Sequence, residues 1–201
     1  FASAKGMLLE RLANLFKAHR YLALSDRVDP DDAKIFKKLS DLVNGHPTDA
    51  MLKTAISLLM QMMRDHYGKP VILLIDEYDV PIAKASAKGY YPEMLEVIKG
   101  LMSTALKDND ALRFAVITGC LRIAKESIFT GTNNFVSDTI SSSHLNEYFG
   151  FTQADVNQIL KDADCLEHAA DIKNWYDGYH FGDLDVYCPW DVMNYLRDLQ
   201  R

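Results

Sequence analysis

The chain has 201 residues, a formal net charge of −6 at pH 7 and 48% apolar residues. This size suits one globular domain or a domain with a small appendage, and the acidic balance argues against nonspecific binding to nucleic acid. No apolar run is long enough to span a membrane. The cysteines, Cys120, Cys165 and Cys188, have neither metal-ligand nor disulfide spacing, so we expect a reducing, cytoplasmic location.

Apolar residues at helical spacing predict three helices before residue 68. Asp29 and Thr48 are predicted N-cap residues, because their side chains suit the first free N–H groups of a helix. Gly68 and Pro70 end the third helix. The predicted helices cover residues 4–20, 30–43 and 48–67.

Five consecutive aliphatic residues at 71–75 lead directly into Asp76 and Glu77. The run does not alternate with polar residues, so it predicts a strand buried on both faces, running to residue 76. A helix predicted at 92–107 and a second apolar strand at 112–118 follow, and this order is typical of a parallel crossover. The sequence therefore indicates an α/β fold, a parallel sheet with helices on both faces.

Smaller elements are predicted in the last part of the chain. They are a short helix at 121–128, a weak third strand at 136–140, a helix at 152–162 capped by Thr152, and a final helix at 191–199. Strand–helix alternation ends near Phe149. We therefore expect an α/β core at 1–148 and a helical, aromatic-rich lid subdomain at 149–201.

Aromatic residues are concentrated in the predicted lid, at Trp175, Tyr176, Tyr179 and Trp190. Such rings can stack on adenine or on a nucleic-acid base. Packing of a small subdomain against the sheet is the interpretation that we favour.

The two acids after the first strand suggest a metal and phosphate site. Ligands of open α/β sheets bind beyond the carboxyl ends of the strands, where Thr118 also ends the second strand. Asp76 would hold Mg²⁺, and Glu77 would orient or deprotonate an attacking water. This is the form of a Walker B motif with a catalytic glutamate. An ordinary solvated acidic turn is the alternative.

Six separate blocks resemble one family, the bacterial AAA-ATPase-like family of P-loop proteins. The blocks are LIDEYDVPIAKA at 74–85, GYYPEM at 89–94, ITGCLRIAKESIFTGTNNF at 117–135, FGFTQADV at 149–156, WYDGYHFG at 175–182 and YCPWDV at 187–192. They lie in the family's order and extend from about residue 70 to the end. Their combination is more specific than any single block.

The resemblance implies a P-loop NTPase fold that binds ATP and Mg²⁺. By position, Asp76 and Glu77 resemble the Walker B pair, and Thr118 lies where a sensor residue ends the second strand. Arg122, just beyond, is equally suited to a phosphate contact or to a surface salt bridge. The resemblance implies binding to nucleic acid only through the nuclease-like domain that often follows in family members. The 201 residues do not include such a domain.

A glycine-rich phosphate loop should precede the Walker B strand in this family, yet the 201 residues contain no G-x-x-x-x-G-K-[ST] sequence. We expect that the loop and the first strands lie upstream of Phe1, so that the fold is incomplete at its amino end. The chain alone should then bind ATP weakly or not at all, hydrolyse none and self-associate through unpaired sheet edges.

Three functions remain open. The first is an ATP-binding and ATP-hydrolysing domain that supplies the Walker B and sensor half of the site. The second is a non-hydrolysing nucleotide-binding or protein-interaction scaffold on the same fold. The third is a two-metal nuclease using Asp76, Glu77 and Asp79, which ranks lower because no partner lysine or further carboxylates stand out.

Overall fold

The computed structural model describes residues 1–41, 44–120, 135–176 and 178–199. The chain divides into two compact units, Phe1–Asn134 and Phe135–Arg201, whereas the boundary expected from the sequence lies at 148–149. The described helices are α1 (Ala2–Ala18), α2 (Pro30–Ser40), α3 (Asp49–Tyr67), α4 (Val80–Ala87), α5 (Tyr91–Leu106), α6 (Gln153–Asp162), α7 (Ala169–Tyr176) and α8 (Pro189–Leu199). The strands are β1 (Val71–Ile75), β2 (Leu112–Ile117), β3 (Tyr179–Phe181) and β4 (Leu184–Val186). None of the described helices has the length and apolar character needed to cross a membrane.

Local capping interactions explain where α2 and α3 begin. The Asp29 carboxylate accepts a hydrogen bond of 2.7 Å from the Asp31 N–H, and the Thr48 hydroxyl accepts one of 3.2 Å from the Met51 N–H. Both predicted caps are therefore confirmed. At the other end of α3, Gly68 adopts a left-handed conformation with φ 66°, as is common where helices end.

Strands β1 and β2 form the parallel sheet of the first unit, as predicted. Their register runs from Val71 opposite Leu112 to Ile75 opposite Ile117, with one irregularity between Val71 and Ile72. One face of the pair packs on a core formed by α3, α5 and the start of β2. The buried members of this core are Met60, Ala105 and Ala111, and Ile56, Val71, Leu73 and Leu112 pack around them.

Helices α3 and α5 lie close together because Gly100 has no side chain. A Cβ atom on Gly100 would lie 2.6 Å from Cγ of Lys53. The Thr104 hydroxyl donates a hydrogen bond of 2.6 Å to the Lys53 carbonyl. This close packing gives β1 and β2 a firm support on one face.

The prediction that both strands are buried on both faces is wrong in the part of the chain that the structure describes. The exposed fractions of the second face are 49% for Ile72, 71% for Leu74, 47% for Phe114 and 48% for Val116. The prediction that the aliphatic run forms a strand is confirmed. However, α3 and α5 cover one face only, so alternate side chains remain in contact with solvent.

Helix α4 was not predicted from the sequence. It begins directly after Asp79, with Pro81 in its first turn, a position that proline tolerates because no helical hydrogen bond is lost there. Ile82 and Ala85 are buried. The segment after β1 is therefore a short, packed helix rather than a loop.

The second unit has its own small core. It consists of Val156, Leu160, Ile172, Tyr187, Val192 and Leu196, contributed by α6, α7, α8 and the residue after β4. The capping box predicted at Thr152 is confirmed, and the hydrogen bonds from Thr152 hold the pKa of the Asp155 carboxyl below its usual range. Strands β3 and β4 form an antiparallel hairpin that was not predicted.

The third strand predicted at 136–140 is wrong. Val136 and Ile140 are exposed, and no strand is present in this segment. The carbonyl of Ile140 instead accepts a single hydrogen bond of 2.8 Å from the N–H of Gly182, in the turn of the hairpin. The apolar residues suggested a strand, but a ladder requires a partner along its length, and here the contact is one bond.

The aromatic residues of the second unit differ in their surroundings. Tyr176 packs against the core of that unit. Trp175, Tyr179 and Trp190 are exposed. Packing within the unit therefore accounts for Tyr176 and not for the other three rings.

Candidate functional site

The structure brings Asp76 and Thr118 together at the carboxyl ends of the parallel strands. The Thr118 hydroxyl donates a hydrogen bond to Oδ1 of Asp76. The N–H of Thr118 donates to the carbonyl of Ile75 at 2.9 Å, so backbone pairing continues to this point. Both side chains are exposed. The two strand ends therefore present a hydroxyl and a carboxylate side by side to solvent.

Directly after the strands end at Ile75 and Ile117, the two acids form a bulge in the hydrogen-bonding pattern. The carbonyl of Thr118 accepts a hydrogen bond of 3.1 Å from the N–H of Tyr78. Two residues, Asp76 and Glu77, thus lie opposite Thr118, where a regular parallel ladder has one. An extra residue of this kind bends the strand and changes the direction of its side chains, and such bulges are frequent beside active sites.

Glu77 has a left-handed backbone conformation, with φ 52°. For a residue with a Cβ atom this conformation costs roughly 1–2 kcal/mol. The Glu77 carbonyl also accepts a hydrogen bond of 3.1 Å from the N–H of Val80, so the strained residue lies in a tight turn that leads into α4. Its side chain remains exposed beside Asp76, whereas a straight continuation of β1 would place it on the face that α3 and α5 cover.

A buried carboxylate lies under the site. Asp79 is only 2% exposed, and its Oδ1 accepts a hydrogen bond of 3.3 Å from the N–H of Cys120. This bond joins the segment after β1 to the segment after β2. From its position in the sequence, Asp79 was a candidate only as a metal ligand of a nuclease. The sequence Asp-Val-Pro at 79–81 could have predicted that Asp79 precedes a helix. It could not have predicted the hydrogen bond to Cys120.

Gly119 is required by the close approach of the two segments. A Cβ atom there would lie 2.5 Å from Oδ1 of Asp79 and 2.7 Å from two ring carbons of Tyr78. Contacts this short are not tolerated without movement of the neighbours. The position between Thr118 and Cys120 therefore favours glycine over any residue with a Cβ atom.

Replacing Gly119 by Ala should destabilise the first unit by about 1–3 kcal/mol, because the added methyl group overpacks the contact with Asp79 and Tyr78. Urea unfolding measures this change as a lower midpoint with an unchanged slope. Gly6→Ala in α1 is the matched control. Nothing lies within 4 Å of its Cβ position, so its midpoint should stay or rise. Equal midpoints for Gly119→Ala and the wild type would contradict the packing argument.

The donor set fits Mg²⁺ better than a metal held by protein alone. Among the described residues, no three His, Cys, Asp or Glu side chains are grouped to hold a metal ion. Mg²⁺, however, is usually bound through one or two carboxylates, with water and phosphate oxygens as the other ligands. The exposed Asp76 carboxylate meets this requirement. Arg122 and the helix predicted at 121–128 lie outside the described residues.

Comparison with known proteins identifies relatives of this chain. The family model described as predicted AAA-ATPase matches residues 11–129. An uncharacterized protein in the vnfD 5'region of Azotobacter chroococcum mcd 1 is 33% identical over 130 residues. The aligned part is 63% of this chain and 24% of that protein, so this chain corresponds to about a quarter of its relative. No solved structure matches.

The family match contains helices α2 to α5 of the first unit, the parallel strands and the site at their ends. It therefore includes Asp76, Glu77, Asp79, Thr118 and Arg122. The match covers more than half of the 201 residues. The chain belongs to the predicted AAA-ATPase family.

Proposed function

We propose that this chain supplies the Walker B and sensor half of an ATP-binding and ATP-hydrolysing site. The observation that carries the proposal is the hydrogen bond between Thr118 and Asp76 at the carboxyl ends of adjacent parallel strands. Family membership adds the expectation of ATP and Mg²⁺. Because the chain aligns with 24% of its relative, the activity of the whole protein is also part of the proposal.

Each exposed side chain has a separate role in this proposal. Asp76 binds Mg²⁺, directly or through a water molecule. Glu77 orients the attacking water and accepts its proton. The Thr118 hydroxyl donates a hydrogen bond to Asp76 or to a phosphate oxygen. Mg²⁺ held by Asp76 would supply positive charge that offsets the negative charge developing during phosphoryl transfer.

The conformation of Glu77 favours hydrolysis over the scaffold alternative. A module that only binds nucleotide needs the metal ligand Asp76 but has no need for a second acid in a strained, exposed position. Strained residues persist where the surrounding structure enforces them, and they cluster at active sites. The nuclease alternative gains no support, because Asp79 is buried and the described residues hold no cluster of metal ligands.

Calorimetric titration with ATP and Mg²⁺ tests the proposal on two proteins, the 201-residue chain and the same chain extended upstream along its gene. Most of the affinity for a nucleotide comes from the backbone N–H groups and lysine of a phosphate loop, and the 201 residues contain no such loop sequence. We expect binding and turnover in the extended chain and neither in the shorter one. Micromolar ATP binding by the shorter chain would refute the proposal that it holds only half of the site. If neither chain binds ATP, the scaffold alternative is favoured.

A further inference from the structure

We propose that Asp79 is a positioning residue, which holds Thr118 in place against Asp76 and Glu77 through its bond to the Cys120 backbone. The expected effect of Asp79 on catalysis rests on the proposed ATPase function. It assigns Asp79 no contact with nucleotide, metal or water. Its role is to set the relative position of the segments that follow β1 and β2.

The first argument is that Asp79 does not cap its own helix. Asp79 occupies the N-cap position of α4, where an Asp side chain usually accepts a hydrogen bond from the helix, yet it makes no such bond. The carboxylate instead accepts a hydrogen bond from the N–H of Cys120, forty-one residues away. The side chain therefore connects the segments that follow β1 and β2.

The second argument is burial. Asp79 is 2% exposed, and a carboxylate is costly to remove from water unless hydrogen bonds compensate it. A charged acceptor makes a stronger hydrogen bond to an N–H group than a neutral one does. The contact with Cys120 is thus of a kind that fixes the distance between its two segments.

The third argument is the support on each side of the contact. The carbonyl of Asp79 accepts hydrogen bonds from the N–H groups of Ile82, at 3.0 Å, and Ala83, at 2.8 Å. Ile82 is buried, so Asp79 belongs to a packed helix end. On the other side, Gly119 lies so close to Asp79 and Tyr78 that a Cβ atom would clash. Movement of Asp79 must therefore move the backbone next to Thr118.

The consequence for the site follows from chain geometry. Thr118 is two residues from Cys120, and its hydroxyl is bonded to Asp76. Release of Cys120 would let the end of β2 shift relative to the bulge at Asp76 and Glu77. A displacement of about 1 Å is enough to lower a rate by about 100-fold when reacting groups must be aligned.

Two substitutions separate positioning from stability, Asp79→Ser and Asp79→Asn. Both residue types are good N-caps for α4, so each should preserve the helix. Serine is too short to reach Cys120, whereas asparagine keeps an acceptor oxygen at the position of Oδ1. Asp155→Ala, which removes a capping interaction from α6 in the other unit, is the control for a general loss of stability.

The measurements are made on the full chain extended upstream along its gene. Without nucleotide, Asp79→Ser should speed hydrogen exchange of the Cys120 amide at least tenfold and shift the Thr118 methyl resonance, and Asp79→Asn should restore both. In steady-state hydrolysis, Asp79→Ser should lower kcat about 10- to 100-fold with KM for ATP within twofold. Asp79→Asn should recover most of kcat, and Asp155→Ala should change neither constant.

The outcomes distinguish the inference from the function on which it rests. Unchanged exchange at Cys120 and an unchanged Thr118 resonance in Asp79→Ser would overturn the inference, whether or not ATP is hydrolysed. The inference would also be overturned if these signals change while kcat does not. It would likewise be overturned if kcat falls equally in Asp79→Ser and Asp79→Asn. If the wild type neither binds nor hydrolyses ATP, the proposed function fails and the nucleotide-free signals alone decide whether Asp79 positions Thr118.

Discussion

Replacing Glu77 by Gln should lower kcat for ATP hydrolysis by about 10²- to 10⁴-fold in the chain extended upstream along its gene. Gln keeps the size and the hydrogen-bonding capacity of the side chain but cannot accept a proton from the attacking water. The affinity for ATP and Mg²⁺ should stay within about twofold, because the metal ligand and the phosphate contacts are unchanged. Steady-state kinetics and calorimetry on the same preparations measure the two effects.

Asp76→Asn is the informative counterpart, since it removes the charge of the proposed metal ligand. It should weaken binding of the Mg²⁺ complex of ATP more than it affects ATP without Mg²⁺. Glu10→Gln in α1, another exposed glutamate, is the matched control and should behave as the wild type. Normal hydrolysis by Glu77→Gln would show that the catalytic assignment is wrong.

Replacing Leu74 by Lys should weaken self-association of the 201-residue chain by about 10- to 100-fold. We expect the wild type to associate as its concentration rises, because four large apolar side chains are exposed on one face of the β1–β2 pair, and contiguous apolar patches usually mark contact surfaces. Leu74 is the most exposed of them, at 71%. Loss of its burial alone is worth about 1.5–3 kcal/mol, which corresponds to roughly 10- to 100-fold in the dissociation constant.

Sedimentation velocity over a range of concentrations measures this association. Leu24→Lys is the matched control, because Leu24 is 83% exposed but lies outside the sheet. That variant should associate as the wild type does. A wild-type chain that is monomeric at every concentration, or equal effects of Leu24→Lys and Leu74→Lys, would show that the sheet face does not drive association.

Much of the local structure could be predicted because its causes are local. The caps at Asp29, Thr48 and Thr152 depend on side chains that bond N–H groups two or three residues away. The parallel pairing of β1 and β2 followed from two aliphatic runs separated by one long helix. The same reasoning placed Asp76 and Thr118 at neighbouring strand ends, and the structure shows them hydrogen-bonded.

Other features depend on residues that are distant in sequence and so escaped prediction. The apolar segment at 136–140 suggested a strand, but whether it pairs depends on what lies beside it, and its backbone contact with the β3–β4 hairpin is the bond from Gly182 to Ile140. Burial of both sheet faces was inferred from the unbroken aliphatic run of β1. Such a run shows which side chains favour burial, but the arrangement of helices decides which of them are covered.

The sequence by itself determined the family, the two parallel strands, most helix boundaries and the candidate acids Asp76 and Glu77. These features rest on short-range spacing, which the order of residues specifies directly. Only the tertiary structure decided that the two acids form a bulge opposite Thr118 and that the Asp79 side chain bonds to the Cys120 backbone instead of capping α4. The physical reason is that a side chain can satisfy its hydrogen bonds locally or across the fold, and the choice depends on which backbone groups the packed strands and helices bring within reach.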